Sequence, residues 1–378
     1  MKQRRWSALF LALFAAFALV LASCASSDSD GGSDDGGGGD GGGESAASCQ
    51  GETGLEPEAS DLGSDDDPDG AGVEVGLVFD IGGKDDKSFN EAAYNGLVAA
   101  EENMGVTGTE LEPNDDGSNR EQLLRQLADD GAGLVIGVGF NFAEVMPIVA
   151  QDYPDTSFAI IDSVVEEPNV ASLVFAEEQG SFLVGAIAAQ SSETGTIGFV
   201  GGVETELIKK FQAGFEAGVA EVNSDANVEV KYLTPDGDFS GFNDPAKGET
   251  TAAGLYEAGA DVVYHAAGGS GSGVFQAAAE ADHLAIGVDS DQYFQVADAP
   301  EQQACILSSM LKRVDVAVYD TIAAFAAGDF AGEVTTFDLS NGGIDYSTAG
   351  GQVQDPDQID ELKQEIIDGQ IEVPTEPS

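Results

Sequence analysis

The stretch VEVGLVFDIGGKDDKSFNEAAYNGLVAAEENM, residues 73–104, decides how the fold is read. Val73 to Phe79 is a short apolar run of strand length, and it ends in Asp80 and a Gly-rich loop, Ile81-Gly82-Gly83-Lys84-Asp85-Asp86-Lys87. From Phe89 to Met104 the apolar spacing changes. Ala93, Leu97, Ala100 and Met104 recur at three- and four-residue steps, the period of a helix with one buried face. Ser88 and Glu91 have the spacing of a capping box, which places Phe89 and Asn90 in the first turn of that helix.

The same strand, loop and helix grammar continues along the chain. Leu134 to Val138, Ser157 to Ile161, Ala171 to Phe175, Thr196 to Val200, Val228 to Leu233, Asp261 to Tyr264, Leu284 to Val288 and Ala304 to Leu307 are further strand candidates, separated by helical patterns. Such alternation implies an α/β protein whose parallel sheets are covered on both faces. About three hundred residues with this apolar content exceed one ordinary domain, so two lobes are expected. Ligands of open parallel sheets bind beyond the carboxyl ends of the strands. Asp80, Asp162 and Asp289 each follow a strand candidate directly, which points to one shared cleft.

Ahead of this part, Lys2, Arg4 and Arg5 precede an apolar run from Ala8 to Ala22 that is short for a membrane span. It ends in Leu21-Ala22-Ser23-Cys24, a pattern that resembles a bacterial lipobox. Residues 1–23 read as a signal peptide, with Cys24 as the lipidated first residue of a chain held on the extracytoplasmic face of the cell membrane. Residues 24–72 are Gly, Ser, Asp and Glu with few apolar residues, and read as a disordered acidic tether. A disulfide between Cys49 and Cys305 is open on this reading.

The chain carries 69 acidic and 14 basic residues, a formal net charge of −55. Nucleic acid and anionic surfaces are therefore repelled. So acidic a surface suits a high-salt medium, in which counterions screen the self-repulsion. Catalytic motifs fail on spacing. Gly137-Val138-Gly139 lacks a third glycine because position 142 is Phe, and no Walker-type loop occurs. Ser270 and Ser272 in the Gly268 to Gly273 loop do not fit a nucleophile elbow. The two histidines, His265 and His283, are far apart, and no clustered Cys and His ligands suggest zinc. His265, at a strand end, is placed near the cleft and His283 at the surface. No cofactor, metal or catalytic residue is expected.

Several stretches run in order through nearly all of the folded part: Asp85-Asp86-Lys87-Ser88-Phe89-Asn90, Phe158-Ala159-Ile160-Ile161-Asp162, Phe211-Gln212-Ala213-Gly214-Phe215, Phe242-Asn243-Asp244-Pro245-Ala246-Lys247-Gly248, His265-Ala266-Ala267-Gly268-Gly269 and Leu311-Lys312-Arg313-Val314-Asp315. Together they resemble the basic-membrane-protein lipoproteins, the purine nucleoside receptor A family. The resemblance implies a type I periplasmic-binding fold of two Rossmann-like lobes, a nucleoside as ligand and delivery to the permease of an ABC importer. It also implies roles. Phe89 and Phe242 would stack on the base, with Phe211 as a third wall and Phe215 in the core. Asp162 and Asn90 would reach the polar edge of the base, and Asp289 and Lys312 the ribose. Asp80, at a strand end, and Gly269, in a tight Gly-rich loop where backbone can approach a ligand, join them as candidates on the residues themselves. The lobes are expected at 73–168 with 303–328, and 169–302 with 329–374, in a monomer.

The chemistry supports a neutral heterocycle without the family name. Flat apolar faces are worth about 1 to 3 kcal/mol per stacked base, and carboxylates accept from ring N–H and diol groups. Beyond the leader the only arginines are Arg120, Arg125 and Arg313, so an anion clamp for phosphate is not in evidence. Two other readings stay open: a receptor or sensor of the same fold for a sugar or signalling molecule, and a secreted nucleoside hydrolase, which would need clustered aspartates.

Overall fold

The computed structural model describes residues 46–57 and 62–377. The chain begins with alternating strands and helices: β1 (Glu74–Val78), α1 (Phe89–Met104), β2 (Thr107–Leu111), α2 (Arg120–Asp129), β3 (Leu134–Gly137), α3 (Met146–Asp152), β4 (Ser157–Ile161) and β5 (Val170–Phe175). It then passes into a second lobe: α4 (Glu177–Ser191), β6 (Thr196–Val203), α5 (Glu206–Val222), β7 (Asn227–Thr234), α6 (Pro245–Glu257), β8 (Val262–Ala266), α7 (Gly271–Ala281), β9 (Leu284–Asp289), the short α8 (Gln292–Gln295) and α9 (Pro300–Gln303), and β10 (Ile306–Lys312). The helix α10 (Val314–Ala327) and strand β11 (Val334–Phe337) return to the first lobe, and β12 (Ile344–Tyr346) and α11 (Pro356–Ile367) to the second.

The first sheet has the order β11-β5-β4-β3-β1-β2 and the second β12-β10-β9-β8-β6-β7. Among the described residues every strand pairing is parallel except that of β10 with β12. Successive side chains of a strand point to opposite faces. Leu77 and Phe79 accordingly join Ala93 and Leu97 of α1, whereas Val78 joins Leu124 and Leu127 of α2. In the second lobe α4 and α5 touch backbone to backbone. A Cβ on Gly214 would lie 2.0 Å from the Glu178 carbonyl oxygen, and one on Gly218 would lie 1.9 Å from that of Phe182.

The lobe boundaries differ, because β5 and β11 belong to the first sheet and β10 to the second, not 169–302 with 329–374 and 303–328 as the runs suggested. α10 packs on α1, where a Cβ on Gly96 would lie 2.4 Å from the Asp315 carbonyl. A buried apolar strand looks alike in either sheet, so its run could not say which neighbour it joins. β2, β11 and β12 were not anticipated. β2 and β11 are edge strands with largely polar, exposed residues, such as Thr107 and Thr335.

The acidic tether also departs from the expected disorder. Its described portion, 46–57 and 62–72, is fastened down. A disulfide joins Cys49 to Cys305. The Ala47 N–H donates to Asp261 Oδ2 (3.1 Å), the Glu52 N–H to the Gly350 carbonyl (3.0 Å), and Tyr293 Oη to the Glu52 carbonyl (2.8 Å). Further on, the Gly70 N–H reaches the Met104 carbonyl (2.8 Å) and Tyr319 Oη donates to Asp67 (2.5 Å), both in the first lobe. Backbone hydrogen bonds and one covalent bond replace the apolar burial that the composition lacks. The signal peptide and Cys24 lie outside the described residues.

Candidate functional site

Asp80, Asp162 and Asp289 stand at or just beyond the carboxyl ends of β1, β4 and β9, and all three border one cavity of ≈ 610 Å³ counted out to its mouth. Both lobes wall it. Asp162 and Asp289 hold φ values of +65° each, a conformation that costs a non-glycine residue energy and collects at functional sites. Phe89, Phe211 and Phe242 supply aromatic wall. Phe215 is fully buried, packed on Phe199 and Tyr264 as core.

The floor is an ionic cluster across the lobes. Lys312 Nζ, from the second lobe, lies 2.7 Å from Asp162 Oδ2 of the first and 3.2 Å from Glu177 Oε1. The ammonium also sits 5.1 Å from the Phe89 ring centroid, 4.9 Å from that of Phe175 and 5.6 Å from that of Phe211. Burial alone would lower the Lys312 pKa, but Asp162, Glu177 and Asp289 outweigh it and hold the amine charged. Asp162, Glu177 and Asp289 then share the Lys312 ammonium, and Glu177 also pairs with Lys210 Nζ at 3.3 Å. Burial raises Asp162, with Lys312 opposing and Glu177 reinforcing. Burial likewise raises Asp289 to about 6, although Lys312 and the Ser88 hydroxyl favour its ionised form. One Asp162 oxygen, Oδ1, is buried without a hydrogen-bond partner.

Not every expected residue is free to meet a ligand. Asp80 accepts from Arg120 Nη2 at 2.6 Å, Asn141 Nδ2 at 2.8 Å and the Ile81 N–H at 2.8 Å. Asn90 lines the cavity, yet its Oδ1 accepts from the Asp80 N–H (2.8 Å) and its Nδ2 donates to Asp86 Oδ2 (2.9 Å). These two residues hold the loop after β1. Gly269 is off the wall by one position. Gly268, with φ +54°, lines the cavity, while a Cβ on Gly269 would lie 3.7 Å from Asp86 Cβ of the opposite lobe. His265 is fully buried against Phe275 with its pKa lowered by burial to about 4, and does not border the cavity.

The expected capping box is absent. Ser88 Oγ donates instead to Asp289 Oδ2 (2.5 Å), bridging the lobes. Asp86 caps α1, accepting the N–H groups of Ser88 (2.9 Å), Asn90 (3.0 Å) and Glu91 (3.1 Å). Burial raises its pKa to about 6 against those hydrogen bonds. Asp86 also borders the cavity, as do Phe140, Leu207, Ile208 and Val288, none of which the sequence singled out as site residues. The preference of Asp for N-caps offered a signal for Asp86. The four apolar residues offered none beyond their place near strand ends.

Two parallel-sheet lobes, joined by three chain crossings and closed on a cavity at their strand ends, define a solute-binding protein of the type I periplasmic-binding class. The family model described as "ABC transporter substrate-binding protein PnrA-like" (Bmp) matches residues 73–376, and the chain belongs to that family. Its members are substrate-binding components of ABC transporters, not enzymes, and so work with a small-molecule ligand and permease partners. The chain is 34% identical over 320 residues to the "ABC transporter nucleoside-binding protein BmpA" of Lactococcus lactis, covering 80% of this chain and 89% of that protein. It is 33% identical to "Basic membrane protein A" of Borreliella burgdorferi, covering 80% and 87%. Among solved structures, a solute-binding protein of an ABC transporter system from Aeropyrum pernix superposes with a TM-score of 0.69 at 29% identity, over 81% of this chain and 94% of that one.

Proposed function

We propose that this protein binds a nucleoside, with a purine base preferred, between its lobes and presents the closed form to the permease of an ABC importer, while a lipid on Cys24 holds it at the outer face of the cell membrane. The observation that carries the reading is Asp162 Oδ1, a buried acceptor with no partner, at an aromatic-walled cavity. A buried carboxylate oxygen left bare is costly unless a ligand donor completes it. A ring N–H or exocyclic amine does so while Phe89, Phe211 or Phe242 covers its faces. Lys312 has three donors; one goes to Asp162, and the ammonium also pairs with Glu177. A remaining donor, with Asp289, serves the ribose hydroxyls.

The cavity also argues against a phosphate. Asp80, Asp86, Asp162 and Asp289 border it against Lys312, and the nearby Arg120 is bound to Asp80. The name of the Lactococcus relative supports a nucleoside. A thermal-shift screen of the mature chain tests this. Ligand at a hundred times its Kd stabilises the folded state by about 2.7 kcal/mol. Purine nucleosides are expected to raise Tm in the wild type and not in Phe89→Ala; a response to free sugars alone would overturn the assignment.

A further inference from the structure

Phe140 and Phe239 meet edge to face across the cleft, with ring centroids 5.7 Å apart and planes at 68°. They come from different lobes. Phe140 opens the 3₁₀ turn Phe140–Phe142 that follows β3, and Phe239 opens the 3₁₀ turn Phe239–Phe242 that follows β7. Both rings are half-buried. Phe140 borders the cavity, whereas Phe239 stands outside its wall.

The second turn is held firmly. Asp238 caps it, accepting from Ser240 Oγ at 2.6 Å and from the Ser240 N–H at 3.2 Å. Ser270 Oγ donates to the Gly241 carbonyl (2.8 Å), and Thr234 Oγ1 to the Gly202 carbonyl (3.2 Å). A Cβ on Gly241 would lie 2.0 Å from the Gly202 carbonyl oxygen, so the turn sits directly on the end of β6. In a 3₁₀ helix, side chains three apart lie on one edge. Phe242 on that edge borders the cavity, and Phe239 is placed to reach the other lobe.

Resting on the nucleoside reading above, we infer that Phe239 is a retention residue: its ring braces Phe140 from outside and holds the cleft shut on the ligand without touching it. Opening requires the two rings to part and wets both apolar faces. Changes of this kind act mainly on the dissociation rate. Phe242 recognises the base, and Phe239 on the same turn sets how long the base stays.

The test is stopped-flow displacement of inosine and guanosine from the full chain. An edge-to-face pair of this kind corresponds to about a fivefold faster release in Phe239→Ala, with the association rate little changed. Phe239→Leu is expected between the two. Adding Phe239→Ala to Phe140→Ala is expected to speed release no further, since the pair is already broken. Release unchanged in Phe239→Ala, or rates that multiply independently in the double variant, would overturn the inference. If neither nucleoside binds, the nucleoside reading fails by itself, and the brace is read in the unliganded chain by deuterium exchange at 141–143. Faster exchange there in Phe239→Ala supports a contact across the lobes; exchange altered only at 239–242 contradicts it.

Discussion

Lys312 is where the two lobes share charge, and its removal tests what that cluster contributes to stability. An ammonium lost from a buried pair leaves uncompensated carboxylates at a cost of about 3 to 5 kcal/mol. Lys312→Met is therefore expected to lower the urea-unfolding free energy by that order, and Lys312→Met with Asp162→Asn to recover part of it. A loss below 1 kcal/mol would show that the cluster does not contribute as its geometry implies. The carboxyls make a second prediction, about pH. Asp86 and Asp289 are raised to about 6 in the fold, above the unfolded value of about 3.9. The folded chain then binds more protons than the unfolded chain between these values, so unliganded stability falls as pH rises from about 4 to about 6. A melting temperature of the unliganded chain higher at pH 5 than at pH 7.5 is the expected result. Ligand binding through the ionised Asp289 is expected to weaken as pH falls through about 6, where that carboxyl takes up its proton.

Residue positions were legible where the local chain states them. Asp80, Asp162 and Asp289 were visible because a carboxylate following an apolar run marks a strand end. The commitment of Asp80 to Arg120, 40 residues on, and of Asn90 to Asp80 was not, because it depends on how separate loops fold back. Ser88 and Asp86 show the same limit at closer range. Both suit a cap, and the opposite lobe decides between them by engaging Ser88 through Asp289.

At the scale of elements, the segment before β1 carries more structure than its composition suggests. Residues 46–57 lie on the second lobe and 62–72 on the first, and the Cys49–Cys305 disulfide closes a loop with a sequence separation of 256. Removing a native disulfide of this sort costs about 2 to 5 kcal/mol. Cys305→Ser is expected to lower Tm and to abolish the response of Tm to reductant. Equal Tm with and without reductant in the wild type would contradict the bond's contribution. Helices and buried strands were readable, α1 to its bounds, since period and length identify them. The polar edge strands β2 and β11 were not. Nor were the exchanges of β5, β10 and β11 between sheets, because partner choice leaves no mark on a uniformly apolar run.

For the whole molecule, charge and closure belong together. A net charge of −55 spread over 378 residues opposes compaction. The Debye length falls from about 10 Å at 0.1 M salt to about 3 Å at 1 M. The melting temperature is thus expected to rise with potassium chloride well past 1 M, measured by circular dichroism; a fall would contradict the high-salt reading of the surface. The two-lobed architecture was legible from length and alternation, and the cleft from the strand-end rule. The ligand was not fixed by either, since the same lobes serve many solutes.

Calorimetric titration of the oxidised mature chain with inosine, inosine monophosphate, hypoxanthine and ribose decides whether the cleft takes a nucleoside. One site for inosine is expected, with binding weakened at least tenfold in Asp162→Asn and little or no binding of the monophosphate. Monophosphate bound as tightly as inosine, or ribose bound while inosine is ignored, would contradict the nucleoside reading.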